Sequence, residues 1–165
     1  MRKTLEAFAL AGLALLVWIT YRATYGPAPL PQTIPTHFGI DGQPNAWGPV
    51  GSLWLLPAIG VGIYLVISLV ALFPASFNYP VRVTPANRPR LVALTLVMMS
   101  WIKLELASLF LYIQWSIIQS VREGKAALGP FIVPGFIAAV FATVGIFIVA
   151  IVRAARTSPP PRIKQ

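Results

Sequence analysis

The chain has no cysteine and a single histidine, His37, among its 165 residues. The absence of cysteine excludes disulfides, cysteine-bound zinc and a thiol nucleophile. A single histidine excludes a histidine-rich metal centre within one chain, so we expect neither a metal nor another cofactor. Acidic residues are also scarce, with four Asp and Glu against 13 Lys and Arg, which gives a net charge of +9. Charged residues make up only 10% of the chain, against about 25% in soluble globular proteins.

Apolar residues dominate what remains. They form 57% of the chain, and the mean hydropathy is +0.75. A soluble domain of this length could not bury so much apolar surface, so we expect the lipid bilayer to be the main surrounding partner. A strong basic excess can also indicate nucleic-acid binding. Here the basic residues flank apolar runs and form no basic helix face, so we expect no nucleic-acid partner.

Four apolar segments are long enough to cross a membrane, at residues 5–21, 53–73, 91–118 and 131–152. They lack the alternation of barrel strands, and backbone groups in lipid must be paired internally. The pattern therefore predicts an all-α, polytopic membrane protein with one four-helix domain over residues 1–156. Residues 157–165 contain three consecutive prolines, which predict a polyproline-type cytoplasmic tail.

The distribution of basic residues predicts the orientation of these helices. Nine of the 13 lie near the termini or between the second and third spans, namely Arg2, Lys3, Arg82, Arg88, Arg90, Arg153, Arg156, Arg162 and Lys164. The other two loops hold only Arg22, Arg122 and Lys125, and Lys103 lies inside a span. The positive-inside rule then places both termini in the cytoplasm, as in a multi-pass protein of the cytoplasmic membrane. An alternative is that the first span is a cleaved signal peptide, although Glu6 interrupts its basic start.

The loop between the first two spans, residues 30–48, is rich in proline and glycine. Asp41 and Gly42 predict a tight turn, and Pro44 and Asn45 predict the start of a second one. We therefore expect an ordered cap outside the membrane, over the helix ends. The residues of interest in it are Pro35, His37, Phe38, Asp41, Gly42, Pro44, Asn45, Trp47 and Gly48.

Three roles are open for His37. Its ring could be hydrogen-bonded within the loop or to Trp47, it could act as a pH-sensitive contact, or it could bind a metal together with Asp41 and Asn45. We expect Phe38 and Trp47 to face inward beneath the cap.

Two motifs give the chain a family resemblance. The segment LPQTIPTHFGIDGQPNAWG, residues 30–48, resembles the signature of a prokaryotic membrane family called domain of unknown function 1648 (DUF1648), related to the SdpI-type toxin-immunity proteins. The segment NYPVRVTPAN, residues 78–87, resembles a second family block in the first cytoplasmic loop, and its residues of interest are Asn78, Tyr79, Pro80, Arg82, Thr84 and Asn87. The chain departs from the pattern at Pro49-Val50 and at Ala86, where family members often carry lysine and glutamate.

Charged residues inside the third span are unusual. Lys103 and Glu105 would each cost about 2.5–3.5 kcal/mol at the bilayer centre, so they are expected to be buried and partnered. Two positions apart on a helix, they point to opposite sides. The polar residues of interest in this span are Lys103, Glu105, Ser108, Tyr112 and Gln114. Because the helix is polar on two sides, we expect it to be central in the bundle.

The sequence is compatible with several partners for Lys103. Glu6 is expected to be too close to the inner end of the first span to reach it. Glu105 of a second copy, a residue of another protein, or hydroxyls and carbonyls could serve, which predicts a homo-oligomer or a subunit of a larger complex. Alternatively, the third helix is shifted and Lys103 extends toward the membrane surface.

Three functions are compatible with these observations. The resemblance implies a non-enzymatic membrane interaction protein of immunity, sensory or accessory type, whose cap meets an extracytoplasmic peptide or another partner. The intramembrane charges would suit a small transporter or a subunit of a proton or ion pathway. A membrane enzyme with Glu105 or Asp41 as base and His37 as its partner is the third, but half a bilayer core, about 15 Å, separates His37 from Glu105.

Overall fold

The computed structural model describes residues 1–39, 43–124, 129 and 131–156. Its elements are α1 (Arg2–Tyr25), β1 (Thr33–Phe38), β2 (Pro44–Pro49), a 3-10 helix (Val50–Trp54), α2 (Leu55–Val70), a 3-10 turn (Pro74–Ser76), α3 (Arg88–Glu123) and α4 (Ile132–Arg156). In this part of the chain four helical segments are long and apolar enough to cross a membrane, which confirms the predicted spans. The predicted turn at Asp41 and Gly42 and the tail at residues 157–165 lie outside the described residues.

The helix α3 is central, as predicted, because it packs against each of α1, α2 and α4. It runs parallel to α1 and antiparallel to the other two, since Leu91 at its start packs against Ile151 and Ala154 at the end of α4. The bundle is tightest where α2 passes the other helices at Gly60. A Cβ there would lie 3.0 Å from Cδ2 of Phe110 and 3.3 Å from Cδ2 of Leu13.

The length of α3 decides which residues meet across the bundle. Its 36 residues extend for about 54 Å at 1.5 Å per residue, well beyond a hydrocarbon core of about 30 Å. The helix α1 has 24 residues and spans about 36 Å. The additional length of α3 lies mainly at its N-terminal end, because Lys103 in α3 meets Glu6 near the start of α1.

The loop between α1 and α2 contains a β-hairpin, which the all-α prediction did not include. Its strands β1 and β2 are antiparallel, with Ile34 opposite Gly48 and Pro35 opposite Trp47. The predicted turn at Pro44 and Asn45 is wrong, because both residues lie in β2. We call the end of the bundle that carries this hairpin the hairpin end, and the opposite end the loop end.

The hairpin is anchored through β1. Ile34 is 1% exposed and belongs to a core cluster with Leu30, Leu53, Ala23 and Ile118. Of the two strands, β1 makes the larger set of contacts with α3 and the 3-10 helix.

The strand β2 lies further from the helices. As a result Trp47 is 60% exposed, and the prediction that it faces inward is wrong. Phe38, in β1, is partly buried. Gly48 permits the close approach of the strands, since a Cβ there would lie 2.9 Å from Cγ2 of Thr36.

Candidate binding site

Gln114 joins three elements at the hairpin end. Its Nε2 donates to Oγ1 of Thr20 in α1 at 2.8 Å and to the carbonyl oxygen of Leu53 in the 3-10 helix at 3.0 Å. Gln114 and Thr20 are both 0% exposed. We call these three residues the Gln114 cluster. It confirms that Gln114 lies on the buried side of α3, as its position relative to Lys103 predicted.

The orientation of the Gln114 amide follows from its partners. Thr20 Oγ1 donates its own hydrogen to the carbonyl of Leu16 at 2.7 Å, so it can only accept from Gln114. The carbonyl of Leu53 is also an acceptor. The amide nitrogen must therefore face both of them, and the amide oxygen Oε1 points away. This oxygen is buried and has no hydrogen-bond partner among the described residues.

A groove of about 390 Å³ is lined in part by Gln114. We call it the hairpin groove. It is lined by β1, by the start of α2 with the preceding turn, and by one face of α3, that is by Ile34, Pro35, Thr36, His37, Phe38, Ser52, Leu53, Leu55, Leu56, Ile59, Ile113, Gln114 and Ile117. Its size is within the range of small-ligand sites, about 300–1,000 Å³, which combine mainly apolar walls with a few polar groups.

The residues of β1 that line this groove indicate which part of the strand faces it. Side chains alternate between the two faces of a strand, so a groove lying against one face would contact every second residue. Five consecutive residues, 34–38, line the groove instead. The groove therefore runs along the edge of β1, where backbone groups as well as side chains are within reach of a bound molecule.

His37 is held in the hairpin by a local contact. Its Nδ1 lies 2.5 Å from Oδ1 of Asn45 in β2, and the residue is exposed on the rim of the hairpin groove. This arrangement agrees with a hydrogen bond within the loop, with Asn45 rather than Trp47 as partner. Asp41, the third residue of the predicted metal alternative, lies outside the described residues. Among those that are described, no three His, Asp or Glu side chains come together.

The ion pair of Lys103 overturns one expectation. Its Nζ lies 2.6 Å from Oε1 and 2.7 Å from Oε2 of Glu6, the residue judged too far away. Oε1 also accepts from Ser100 at 2.6 Å, and Oε2 accepts from the hydroxyl of Tyr64 at 2.7 Å. Lys103 donates further to Ser68 at 3.2 Å. We call these five residues the Glu6 cluster.

The reason for this error is the position of α3 along the bundle. Lys103 is fifteen residues, or about 22 Å, from the first residue of α3, whereas Glu6 is four residues, or about 6 Å, from the start of α1. The two meet because α3 begins about 16 Å further out on the loop end. Lys103 therefore finds its partner within the chain, and it gives no reason to require a second copy.

Glu105 belongs to a separate network. Thr143 of α4 donates to its Oε1 at 2.5 Å, while Oε2 is buried without a hydrogen-bond partner in the described part of the chain. This separation from Lys103 agrees with the predicted opposite sides of α3. Ser108 and Tyr112, the proposed relay partners of Glu105, are exposed on the surface of α3.

The second motif block forms the start of α3. The backbone N–H of Thr84 donates to Oδ1 of Asn87 at 2.8 Å, and the backbone N–H of Asn87 donates to Oγ1 of Thr84 at 3.2 Å. Nδ2 of Asn87 donates to the carbonyl of Arg82 at 3.0 Å. Asn87 is 2% exposed, and Tyr79 packs against the Leu91 cluster. These contacts give the block a structural role in fixing the turn that precedes α3. Asn78, Pro80 and Arg82 are exposed.

Sequence comparisons bear on the hairpin end. Residues 7–61 match the model of the family described as Domain of unknown function (DUF1648). An uncharacterized protein of Archaeoglobus fulgidus is 37% identical over 86 residues, which cover 47% of this chain and 45% of the relative. The chain thus spans less than half the length of that relative. No solved structure matches the chain.

The matched segment contains most of α1, the hairpin and the first turns of α2, and with them Thr20, His37, Asn45 and Leu53. Neither comparison links the chain to the SdpI-type immunity proteins, so that relation stays a prediction. Residues 7–61 of the chain are similar to the DUF1648 family, in agreement with the resemblance predicted from the motif at residues 30–48.

Proposed function

We propose that this protein is a non-enzymatic membrane binding protein that captures an extended, largely apolar peptide segment in the hairpin groove. The observation that carries this proposal is the buried Oε1 of Gln114, which has no donor among the described residues and belongs to a side chain that lines an apolar groove. A buried polar atom without a partner costs about 1–3 kcal/mol. A ligand that brings an N–H group to this atom recovers that free energy.

The form of the groove favours a peptide. Five consecutive residues of β1 line it, so the strand edge is accessible to a second chain. Peptides commonly bind by adding a strand to such an edge, with backbone hydrogen bonds giving affinity and side-chain pockets giving specificity. A peptide backbone also supplies the N–H donors that Gln114 requires, whereas a hydrocarbon chain supplies none.

The proposed setting follows the charge distribution of the sequence. Both termini lie in the cytoplasm of a prokaryotic cell, and the hairpin end faces outward. The groove then receives its peptide from the extracytoplasmic side, which is compatible with an immunity, sensory or accessory role. A homo-oligomer or a second membrane protein remains part of this proposal, although Lys103 no longer motivates it.

Site-specific photocrosslinking in the native membrane tests the proposal. A photoreactive phenylalanine analogue replaces Ile59, which lines the groove and is 48% exposed. The matched control carries the analogue at Leu65, which is 60% exposed on the same helix but outside the groove. We expect a peptide adduct at Ile59 that is absent at Leu65 and is lost when Gln114 is replaced by Leu. Adducts with lipid alone, or equal adducts at both positions, would contradict the proposal.

A transport function has one observation in its favour. A cavity of about 300 Å³ at the loop end is lined by Arg2, Glu6, Tyr64, Ser68 and Lys103, among others. Glu105, the other charge invoked for a pathway, lies in a different network with Thr143. Proton or ion flux in sealed vesicles that is abolished by Glu105→Gln would favour transport over peptide capture.

A further inference from the structure

A second groove of about 390 Å³ lies between α1 and α3 at the hairpin end. We call it the arginine groove. Its walls carry two arginines and two tryptophans, and its lining residues are Trp18, Ile19, Arg22, Trp115, Ile118, Gln119 and Arg122. It shares no residue with the hairpin groove. The guanidinium of Arg22 lies 5.6 Å from the centre of the Trp18 ring, which restricts its position through a cation–π contact.

The arginine groove continues into a wholly apolar depression along the same two helices. This depression, of about 300 Å³, is lined by Leu15, Ile19, Leu111, Tyr112 and Trp115. Ile19 and Trp115 belong to both. From Leu15 to Arg22 the distance along α1 is about 10 Å, and from Leu111 to Arg122 along α3 about 16 Å. A charged upper part and an apolar lower part thus form one continuous surface.

The arginines lie at the level where lipid headgroups are expected. Arg22 and Arg122 are in the last turns of α1 and α3. Tyr21 and Tyr25 beside them are exposed, and Tyr25 lies 6.5 Å from the ring of Trp54. Such aromatic belts mark the boundary between the hydrocarbon core and the headgroups. The apolar depression, one to two turns deeper, lies at the level of acyl chains.

A simpler role for these arginines is an interaction with the helix dipoles, which favours cations at helix C-termini. That role does not require arginines from two helices to line one groove together with two tryptophans. Neither arginine is ion-paired to a carboxylate in the part of the chain that the structure describes. Glu123, the nearest acid in the sequence, is bonded to Gln119 and does not line the groove.

We infer that the arginine groove binds the anionic headgroup of a phospholipid, with one of its acyl chains in the apolar depression. The phosphate lies between Arg22 and Arg122, since guanidinium groups bind phosphate oxygens through paired, charge-assisted hydrogen bonds. The net negative charge of the lipid matches two cations that have no carboxylate partner. This inference is independent of peptide capture in the hairpin groove.

Native mass spectrometry of the protein in mild detergent tests the inference. The probes are dioleoylphosphatidylglycerol and dioleoylphosphatidylcholine, which have the same chains but differ in net charge. We expect the anionic lipid to bind about tenfold more tightly, and the Arg22→Gln/Arg122→Gln variant to lose about tenfold of that affinity. Leu15 lines the apolar depression and is 47% exposed in the parent protein. The Leu15→Trp variant should fill the depression and therefore bind the anionic lipid more weakly.

The control variant is Arg88→Gln/Arg156→Gln, which removes the same charge from exposed positions at the loop end. We expect its affinity to change less than twofold. An equal loss in both double variants would show a general effect of charge and would overturn the inference. Equal binding of the two lipids, or full retention in the Arg22 and Arg122 variant, would overturn it as well. Unchanged thermal unfolding in detergent verifies that each variant is folded.

Discussion

The two buried polar clusters of this bundle differ in how completely their atoms are paired. In the Glu6 cluster both carboxylate oxygens accept hydrogen bonds, and Lys103 is within 3.2 Å of Glu6 and Ser68. In the Gln114 cluster both amide hydrogens are used, but Oε1 has no donor. Within the described residues the acceptors of Glu6 all have donors, whereas the amide oxygen of Gln114 has none.

This difference separates a structural role from a binding role. Charged residues inside a membrane segment are functional candidates by default. Here the charged pair joins α1, α2 and α3 at the loop end and has its partners in place. The neutral amide of Gln114, which attracts less attention in a sequence, carries the unpartnered acceptor on which we base the proposed binding role.

The largest expected effect on stability comes from removing one partner of the ion pair between Lys103 and Glu6. Lys103→Met leaves Glu6 without its cation, and the loss of one partner of a buried pair should lower the free energy of unfolding by about 3 kcal/mol. Thermal unfolding in mild detergent measures this effect. The matched control is Glu6→Gln/Lys103→Met, in which no charge is left unpaired, and it should recover most of the loss. A single variant as stable as the parent would contradict the pairing.

Removing the hydrogen bonds of Gln114 should lower the free energy of unfolding by a smaller amount. Gln114→Leu leaves the carbonyl of Leu53 without its donor, and we expect a loss of about 1–2 kcal/mol in the free energy of unfolding. The same unfolding assay measures it. Gln114→Glu is the companion variant, since it keeps the shape but removes the donors. If both variants were more stable than the parent, the hydrogen bonds at Gln114 would not contribute as described.

The hairpin offers a finer test of the groove wall. Gly48→Ala places a Cβ 2.9 Å from Cγ2 of Thr36, so we expect the strands to separate slightly at a cost of about 1 kcal/mol. Hydrogen exchange of the β1 amides measures this local change, and we expect it to be faster in the variant. Gly48→Ala combined with Thr36→Ser removes the obstructing methyl group and should restore protection. Failure of this rescue would show that the contact does not limit the hairpin.

The smallest effect on stability is expected at His37. Its contact with Asn45 is exposed, so His37→Ala should change the free energy of unfolding by less than about 0.5 kcal/mol. Because His37 is on the rim of the hairpin groove, the same variant should reduce photocrosslinking through the analogue at position 59. Asn45→Ala is the matched variant, since it removes the same hydrogen bond from the other partner. A large loss of stability with unchanged crosslinking would assign His37 a structural role and contradict its proposed part in ligand binding.

The general architecture could be predicted because the bilayer imposes it on any chain with these apolar runs. Four segments of sufficient length had to be helices, and two polar sides on the third had to place it centrally. The similarity to the DUF1648 family over residues 7–61 could be predicted from residues 30–48. The hairpin was missed since the prolines of this segment, among them Pro35 and Pro44, resemble turn signals more than strand signals. Pairing with β2 and contacts with α3 and the 3-10 helix stabilise β1 there.

The sequence by itself determined the number of apolar spans, the positions of the polar residues within them and the family motif. The tertiary structure decided which of these polar residues meet. The displacement of α3 along α1 brings Glu6 to Lys103, and the return of the chain through the 3-10 helix brings the carbonyl of Leu53 to Gln114. Hydropathy measures the cost of placing a group in lipid but not the axial offset between helices, and that offset determines which polar groups find a partner and which remain free for a ligand.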